Sequence, residues 1–367
     1  MIFSQETLLP QKTIFRKGAV FDIADEVVEF GTRGLIVHGK SLLDSGRVEE
    51  IIQHFHHSQS IETFCRSKGE PDLLEVTQVI EKGREVNAEW IAGIGGGSVL
   101  DLAKAAAGLF NAKEPPQYYQ EGGKLRERGI PFIAVPTTAG TGSEATSNSV
   151  IINKKKLAKL SIRDKSFLAR EVILDVDLVM NIPPSVMKYA AMDAYVQAYE
   201  SFISKNSTWF SETFAYKALE LINGHILPAY EYGEEIDLSS LLLGSYFAGI
   251  ALHHARLGVI HGIAHPLGAL YGLSHGLICS VCFIPSIKLN KEAMGEKYDL
   301  MSKILGVDLL ERIETIVDFL GIVSPFKGKE IIEENKIIKE TLTSGSTAAN
   351  PKPIVHEDVE FLLKELF

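Results

Sequence analysis

The sequence predicts a two-part fold: an α/β half built on a parallel sheet, followed by an all-helical half. Two observations carry this. Through the first half, short apolar runs alternate with amphipathic segments, the pattern of strands joined by crossover helices. From about Pro184 onward the apolar spacing is helical nearly throughout, and strand-like runs are scarce. The length of 367 residues is enough for about two domains. The change of pattern falls at Asn181-Ile182-Pro183-Pro184, so we place an α/β domain at 1–181 and a helical domain at 182–367.

The elements follow in order. Leu35-Ile36-Val37 reads as a strand, and Ser41 to Phe55 as a helix with Val48, Ile51, Ile52 and Phe55 on one face. Ser60 to Phe64 reads as a second strand, Leu73 to Val86 as a second helix, Trp90 to Ile94 as a third strand and Val99 to Phe110 as a third helix. Pro131 to Val135 and Val172 to Leu174 complete the strands. In the second half, helices are expected over Val186 to Ile203, Thr208 to Tyr230, Leu238 to His253 and Met294 to Leu305. No internal repeat is visible.

Composition narrows the function. The chain is 46% hydrophobic and 23% charged, as expected of an ordinary globular enzyme. A net charge of −10 argues against a nucleic-acid partner. No signal peptide and no uncharged apolar run of membrane-spanning length is read, so a cytoplasmic protein without a membrane partner is expected. The three cysteines form no disulfide framework. Cys279-x-x-Cys282 lies in the apolar run Leu277 to Ile284 and reads as core rather than as redox or zinc chemistry.

Chemistry concentrates in two places. The segment His261-Gly262-Ile263-Ala264-His265-Pro266-Leu267-Gly268 is followed by His275-Gly276. His261 and His265 share a helix face, and Gly268 and Gly272 let the chain fold back to His275. Upstream, Asp193 and Gln197 stand at the same spacing and can bring oxygens to the same point. Such a set can hold a divalent metal or relay a proton; a His pair four apart also fits a solvated face or a satisfied core.

The second place is Gly93-Ile94-Gly95-Gly96-Gly97-Ser98, which follows a strand and opens a helix. Glycines let backbone approach an anion, a helix N-terminus supplies N–H groups, and Ser98 can cap the helix or donate to a phosphate. The alternative is a tight strand-to-helix turn. The hydroxyl-rich loop Pro136 to Glu144 follows another strand, and such loops at the carboxyl ends of parallel strands are where nucleotides bind.

Taken in order, Gly95-Gly96-Gly97-Ser98-x-x-Asp101-x-x-Lys104, Pro136 to Glu144, Asp193-Ala194 and the histidine segment make the chain resemble the iron-containing (group III) alcohol dehydrogenases. That family lies in a superfamily with glycerol dehydrogenase and dehydroquinate synthase. The resemblance covers almost the whole chain and implies a nucleotide-binding α/β domain followed by an all-helical domain. It implies cofactor contacts from Gly95, Gly96, Gly97, Ser98 and Asp101, from Thr137, Thr138, Thr141 and Ser143, and from Lys159, which could equally be a solvated lysine. Where NAD-preferring relatives carry a ribose-binding aspartate, this chain has Gly39 beside Lys40 and Ser41. That loss of a carboxylate favours NADP(H) over NAD(H).

The metal ligands implied by the resemblance are Asp193, position 197, His261 and His275. Position 197 is Gln197 rather than histidine, a poorer ligand for Fe²⁺ or Zn²⁺. The site could bind metal with Gln197 as a weak ligand, recruit His254 or a water, or work without metal. His265 is a candidate for the proton path to the alkoxide, or for orienting the other two histidines. The expected function is hydride transfer between a nicotinamide and a small alcohol or aldehyde, by a homo-oligomer. The competing readings are a metal-independent reductase similar to maleylacetate reductases, a dehydroquinate synthase-like lyase, and a non-catalytic nucleotide-binding protein.

Overall fold

A computed structural model of the chain describes residues 6–66, 69–156 and 158–367. The chain divides into two compact units. One contains the residues up to Thr138 together with Ser143–Asn181; the other contains Ala139–Gly142 and Ile182–Phe367. The α/β unit therefore lacks four residues that a single cut after residue 181 would give it. In the helical unit, Gly142 lies so near Gly249 that a Cβ on Gly142 would stand 2.5 Å from the Gly249 Cα.

The α/β unit runs β1 (Lys12–Phe15), α1 (Ile23–Glu26), β2 (Arg33–His38), α2 (Lys40–Asp44), α3 (Arg47–Gln53), β3 (Ser60–Cys65), α4 (Leu73–Glu85), β4 (Trp90–Gly95), α5 (Gly97–Gly108), α6 (Pro116–Gln120), β5 (Phe132–Pro136), β6 (Asn148–Asn153), β7 (Ala158–Arg163) and β8 (Glu171–Leu174). Six strands form a wholly parallel sheet in the order β1-β8-β5-β4-β2-β3, while β6 and β7 make a separate antiparallel hairpin. The alternation of side chains across the pleat sends Ile36, Trp90, Ala92, Ile94, Ile133, Val135 and Ile173 into one apolar core. Central strands are buried on both faces, which is why β2 and β4 read as continuous apolar runs.

Three details depart from the sequence expectation. The helix expected over Ser41 to Phe55 is two helices, because Gly46 takes a left-handed φ of 75° between them. The stretch Met294 to Leu305 is likewise divided at Gly295. The edge strand β1 and the β6–β7 hairpin were not expected: β1 is short and largely exposed, so its pattern carries little periodicity.

The helical unit runs α7 (Pro184–Ile203), α8 (Trp209–Glu231), α9 (Glu235–Ala255), α10 (Val259–Tyr271), α11 (His275–Met294), α12 (Glu296–Leu305), α13 (Leu309–Phe319), α14 (Glu334–Thr343) and α15 (His356–Leu366). Helix α8 starts on a reciprocal cap between Thr208 and Ser211. Helix α10 continues through Pro266 and ends on Gly272 in the left-handed region, which turns the chain back into α11. Helix α9 is long and apolar enough, by length and composition, to cross a membrane, but 67% of its most apolar window is buried within the protein. It packs against α7 and α8 as a core helix.

Candidate active site

Helix α7 places Asp193, Gln197 and Glu200 on one face, at i, i+4 and i+7. All three are buried, although a carboxylate without a partner is costly in such surroundings. Their partners come from α10, which supplies His261, and from the first two turns of α11, which supply His275 and Cys279. Gly276 permits the approach of α11 to α7: a Cβ there would stand 2.4 Å from the Tyr189 carbonyl oxygen.

The groups converge tightly. Asp193, His261, His275 and Cys279 each present one potential ligand atom, all within 4.8 Å of one another. His261 Nε2 lies 3.5 Å and His275 Nε2 3.7 Å from Asp193 Oδ1. These spacings are too long for good hydrogen bonds, and among the described residues Asp193 Oδ1, His261 Nε2 and Gln197 Oε1 are buried without a hydrogen-bond partner. On the far side of the ring, His261 Nδ1 lies 2.6 Å from Glu200 Oε2, and the other Glu200 oxygen accepts from the Ile260 backbone N–H at 2.7 Å. A carboxylate behind an imidazole, with the opposite nitrogen facing a cluster of donors, is the arrangement that orients metal-binding histidines.

The electrostatics call for positive charge at this point. Burial alone would raise the Asp193 carboxyl, but the facing His275 and His261 outweigh it and hold it below the ordinary range. Burial likewise opposes charge on His261, yet Asp193 and Glu200 on its two sides push its pKa up to about 9. Burial lifts the Cys279 thiol well above its usual value, and the Asp193 carboxylate adds to this. A divalent cation among these atoms would satisfy orphaned Asp193 Oδ1 and His261 Nε2 and the buried carboxylates together.

Not every expected residue enters the cluster in the same way. Gln197 Nε2 donates to Asp193 Oδ2 at 3.1 Å, so its amide holds the carboxylate from behind. His265 is exposed, with its ring 5.5 Å from that of His275. His254 is outside the cluster; its Nδ1 lies 2.8 Å from the Ile250 carbonyl oxygen and its ring packs on Phe210. Cys282 is core as expected, but Cys279 Sγ lies 3.5 Å from His275 Nε2 and faces the cluster. Sequence reasoning missed Glu200 and Cys279. The signals available were the i+7 spacing from Asp193 and the i+4 spacing from His275.

In the α/β unit, the glycine loop opens α5 with Gly96, not Ser98, as N-cap. The first amides of the helix, at Gly97 and Ser98, have no intrahelical acceptor by geometry. Thr138 lies over Gly96, where a Cβ would meet its side chain at 3.4 Å, and the Thr137 amide donates to the Gly95 carbonyl. Ser98 Oγ donates to Glu70 Oε2 at 3.3 Å, and Lys159 Nζ pairs with Glu70 Oε1 at 2.7 Å. Two groups implied as cofactor contacts thus converge on one carboxylate at the mouth of the glycine turn.

Asp101 and Ser143 are committed to each other: Ser143 Oγ donates to Asp101 Oδ1 at 2.6 Å, and the other Asp101 oxygen accepts from the Val150 amide. Buried Lys104 donates to the carbonyl and hydroxyl of Ser143, to Thr146 and to the Asn148 carbonyl, fastening the second loop to α5. Burial draws the Lys104 ammonium down to about 8. Gly39 caps α2, Lys40 and Ser41 are exposed beside it, and Thr141 is exposed in the segment grouped with the helical unit.

Comparison with known proteins accords with this geometry. Residues 10–176 match the family described as iron-containing alcohol dehydrogenase, and residues 187–367 match the C-terminal domain of the same family. The NAD-dependent methanol dehydrogenase of Bacillus methanolicus is 26% identical over 97% of this chain and 98% of its own. The sulfoacetaldehyde reductase of Bilophila wadsworthia is 30% identical over 81% of this chain and 78% of its own. The solved sulfoacetaldehyde reductase of Bifidobacterium kashiwanohense in complex with NAD⁺ superposes with a TM-score of 0.92 at 26% identity, covering 98% of each chain. With both halves matched, the chain belongs to the iron-containing alcohol dehydrogenase family and is an oxidoreductase that interconverts alcohols and carbonyl compounds.

Proposed function

We propose that this protein reduces a small aldehyde, or oxidises the corresponding alcohol, with NADP(H) preferred over NAD(H) and a divalent cation in the helical unit. The observation that carries the reading is the pair of buried, unpartnered atoms Asp193 Oδ1 and His261 Nε2, 3.5 Å apart. A nicotinamide dinucleotide supplies or accepts the hydride when bound, and a divalent cation supplies a Lewis acid for the substrate oxygen.

The residues do the rest. Asp193, His261 and His275 hold the cation, and Glu200 keeps His261 turned toward it. The opening turn of α5, with Gly96, Gly97 and Ser98, receives the pyrophosphate, and Lys159 adds a cation to that position. Glu70 stands in for the anion there, bridging Ser98 and Lys159 as a phosphate oxygen would. Thr137, Thr138 and Thr141 offer hydroxyls along the cofactor, while Asp101 and Ser143 support the loops from behind. Exposed His265, beside His275, carries the alkoxide proton to solvent.

The choice of NADP(H) rests on Gly39, which offers no carboxylate to repel a 2′-phosphate, and on exposed Lys40 and Ser41 beside it. Two relatives named above carry NAD in their descriptions, so the proposed preference rests on the residues at positions 39 to 41 alone. Among the described residues the cysteines are free thiols, which suits a reducing, cytoplasmic setting. A homo-oligomer without membrane or nucleic-acid partners completes the proposal.

The Gln197 substitution favours one second reading, a metal-independent reductase of the same superfamily. One experiment separates them. NADPH- and NADH-dependent reduction of a panel of short aldehydes is measured before and after chelation, with Zn²⁺ or Fe²⁺ added back. The proposal expects NADPH consumption that chelation abolishes and a cation restores. Full activity after verified metal removal supports the second reading; the absence of turnover on every carbonyl overturns both.

A further inference from the structure

Resting on the reading that the helical unit holds a divalent cation, we propose that Cys279 is itself a ligand, as a thiolate. The resemblance implies four ligand positions, and Gln197 occupies one of them with its amide N–H₂ turned to Asp193 Oδ2 at 3.1 Å. Reversing the amide would set its oxygen against a carboxylate oxygen, so hydrogen bonding selects the observed orientation, which leaves the neutral Gln197 Oε1 buried and without a hydrogen-bond partner among the described residues. A stronger, charged donor comes from another direction. Cys279 lies one helical turn after His275, is fully buried, and is the fourth member of the converging set.

All four ligand atoms lie within 4.8 Å of one another, and three of the six pairs stand near tetrahedral spacing. With bonds of about 2.0 Å to nitrogen or oxygen and about 2.3 Å to sulfur, tetrahedral ligand atoms stand about 3.3–3.6 Å apart. The observed neighbours are 3.5 Å for His261 to Asp193, 3.7 Å for His275 to Asp193 and 3.5 Å for Cys279 to His275. Binding replaces the S–H bond of Cys279 by a sulfur–metal bond, and the proton leaves to solvent. Carboxylate and thiolate together neutralise the two positive charges of the cation. The softer donor also moves preference toward Zn²⁺ over Fe²⁺, despite the family's description.

The test uses the full-length protein, stripped of metal and reloaded with Co²⁺, with cobalt content measured by elemental analysis. Thiolate ligation gives a near-ultraviolet sulfur-to-cobalt charge-transfer band. The expected result is a band in the parent protein that is lost in Cys279→Ser and in Cys279→Ala and kept in Cys282→Ser and Gln197→Ala. Circular dichroism of each variant identifies any that misfolds, and the two Cys279 replacements guard against failure of either one. Stoichiometric cobalt without the band, or a band that survives loss of Cys279, overturns the thiolate ligand and leaves the metal reading standing. Failure of the parent protein to retain any Co²⁺ or Zn²⁺ overturns both.

Discussion

Glu200 and His261 are joined at 2.6 Å between Oε2 and Nδ1, 61 residues apart in sequence and both buried. The contact fixes which face of the imidazole meets Asp193. The second Glu200 oxygen is held by the Ile260 amide on the same helix as His261, so carboxylate and ring are positioned as a unit. In Glu200→Gln the side-chain amide can satisfy one of these two donors but not both. We expect cation affinity and kcat/KM to fall about 10–100-fold. Competition with a chelator of known affinity measures the first; unchanged cation affinity would remove Glu200 from the site.

Glu70 bridges Ser98 and Lys159 where the pyrophosphate is proposed to bind. A carboxylate in that position competes with a phosphate for the same donors. Glu70→Gln should tighten dinucleotide binding several-fold, and Lys159→Met should weaken it by roughly tenfold, about the worth of one partly exposed charge-assisted contact. Titration of cofactor fluorescence at two salt concentrations reads both. If Lys159→Met binds as well as the parent, Lys159 is only a solvated lysine.

Gly39 has ordinary extended backbone, φ −88° and ψ 163°, and a Cβ there would meet only Val99 at 3.6 Å. An aspartate can therefore enter without strain. Gly39→Asp should shift the NADPH-to-NADH ratio of kcat/KM toward NADH by about tenfold or more, because a carboxylate accepts from ribose hydroxyls and repels a 2′-phosphate. An unchanged ratio would show that the adenosine ribose lies elsewhere.

Glu144 is 2% exposed, and burial pushes its carboxyl up to about 7, against partial relief from its backbone hydrogen bond and Lys104. The folded-state pKa is raised, so the folded protein keeps a proton that the unfolded chain releases. The associated stability is fully present below the ordinary carboxylate pKa and is lost as pH rises toward about 7. Glu144→Gln stays neutral at every pH. Its stability relative to the parent should rise between about pH 4.5 and pH 8, by up to about 3 kcal/mol at roughly 1.4 kcal/mol per pH unit. Denaturant melts at the two pH values check this, and a gap that does not change with pH would contradict it.

Much of this was legible from local patterns. The change from alternating strand and helix to continuous helix is visible in the sequence at Asn181-Ile182-Pro183-Pro184. The glycine run was recognisable as the turn into a helix because a strand preceded it and an apolar helical pattern followed. Breaks inside periodic stretches were not legible, since Gly46 and Gly295 interrupt the backbone without disturbing the apolar spacing on either side. The polar partners were less legible still. Ser143 and Asp101 read equally well as ligand contacts, and only the fold shows the hydrogen bond between them.

The linear order of residues decided which groups share a helix face: His261 with His265, Asp193 with Gln197 and Glu200, His275 with Cys279. That follows from the fixed helical repeat, which needs no information beyond the chain itself. Packing alone decided which faces meet. It brought Glu200 behind His261 and carried Cys279 from an apolar stretch into a polar cluster. These contacts span tens of residues and depend on close helix approaches such as that at Gly276, a property of three-dimensional fit that no spacing rule along one helix encodes.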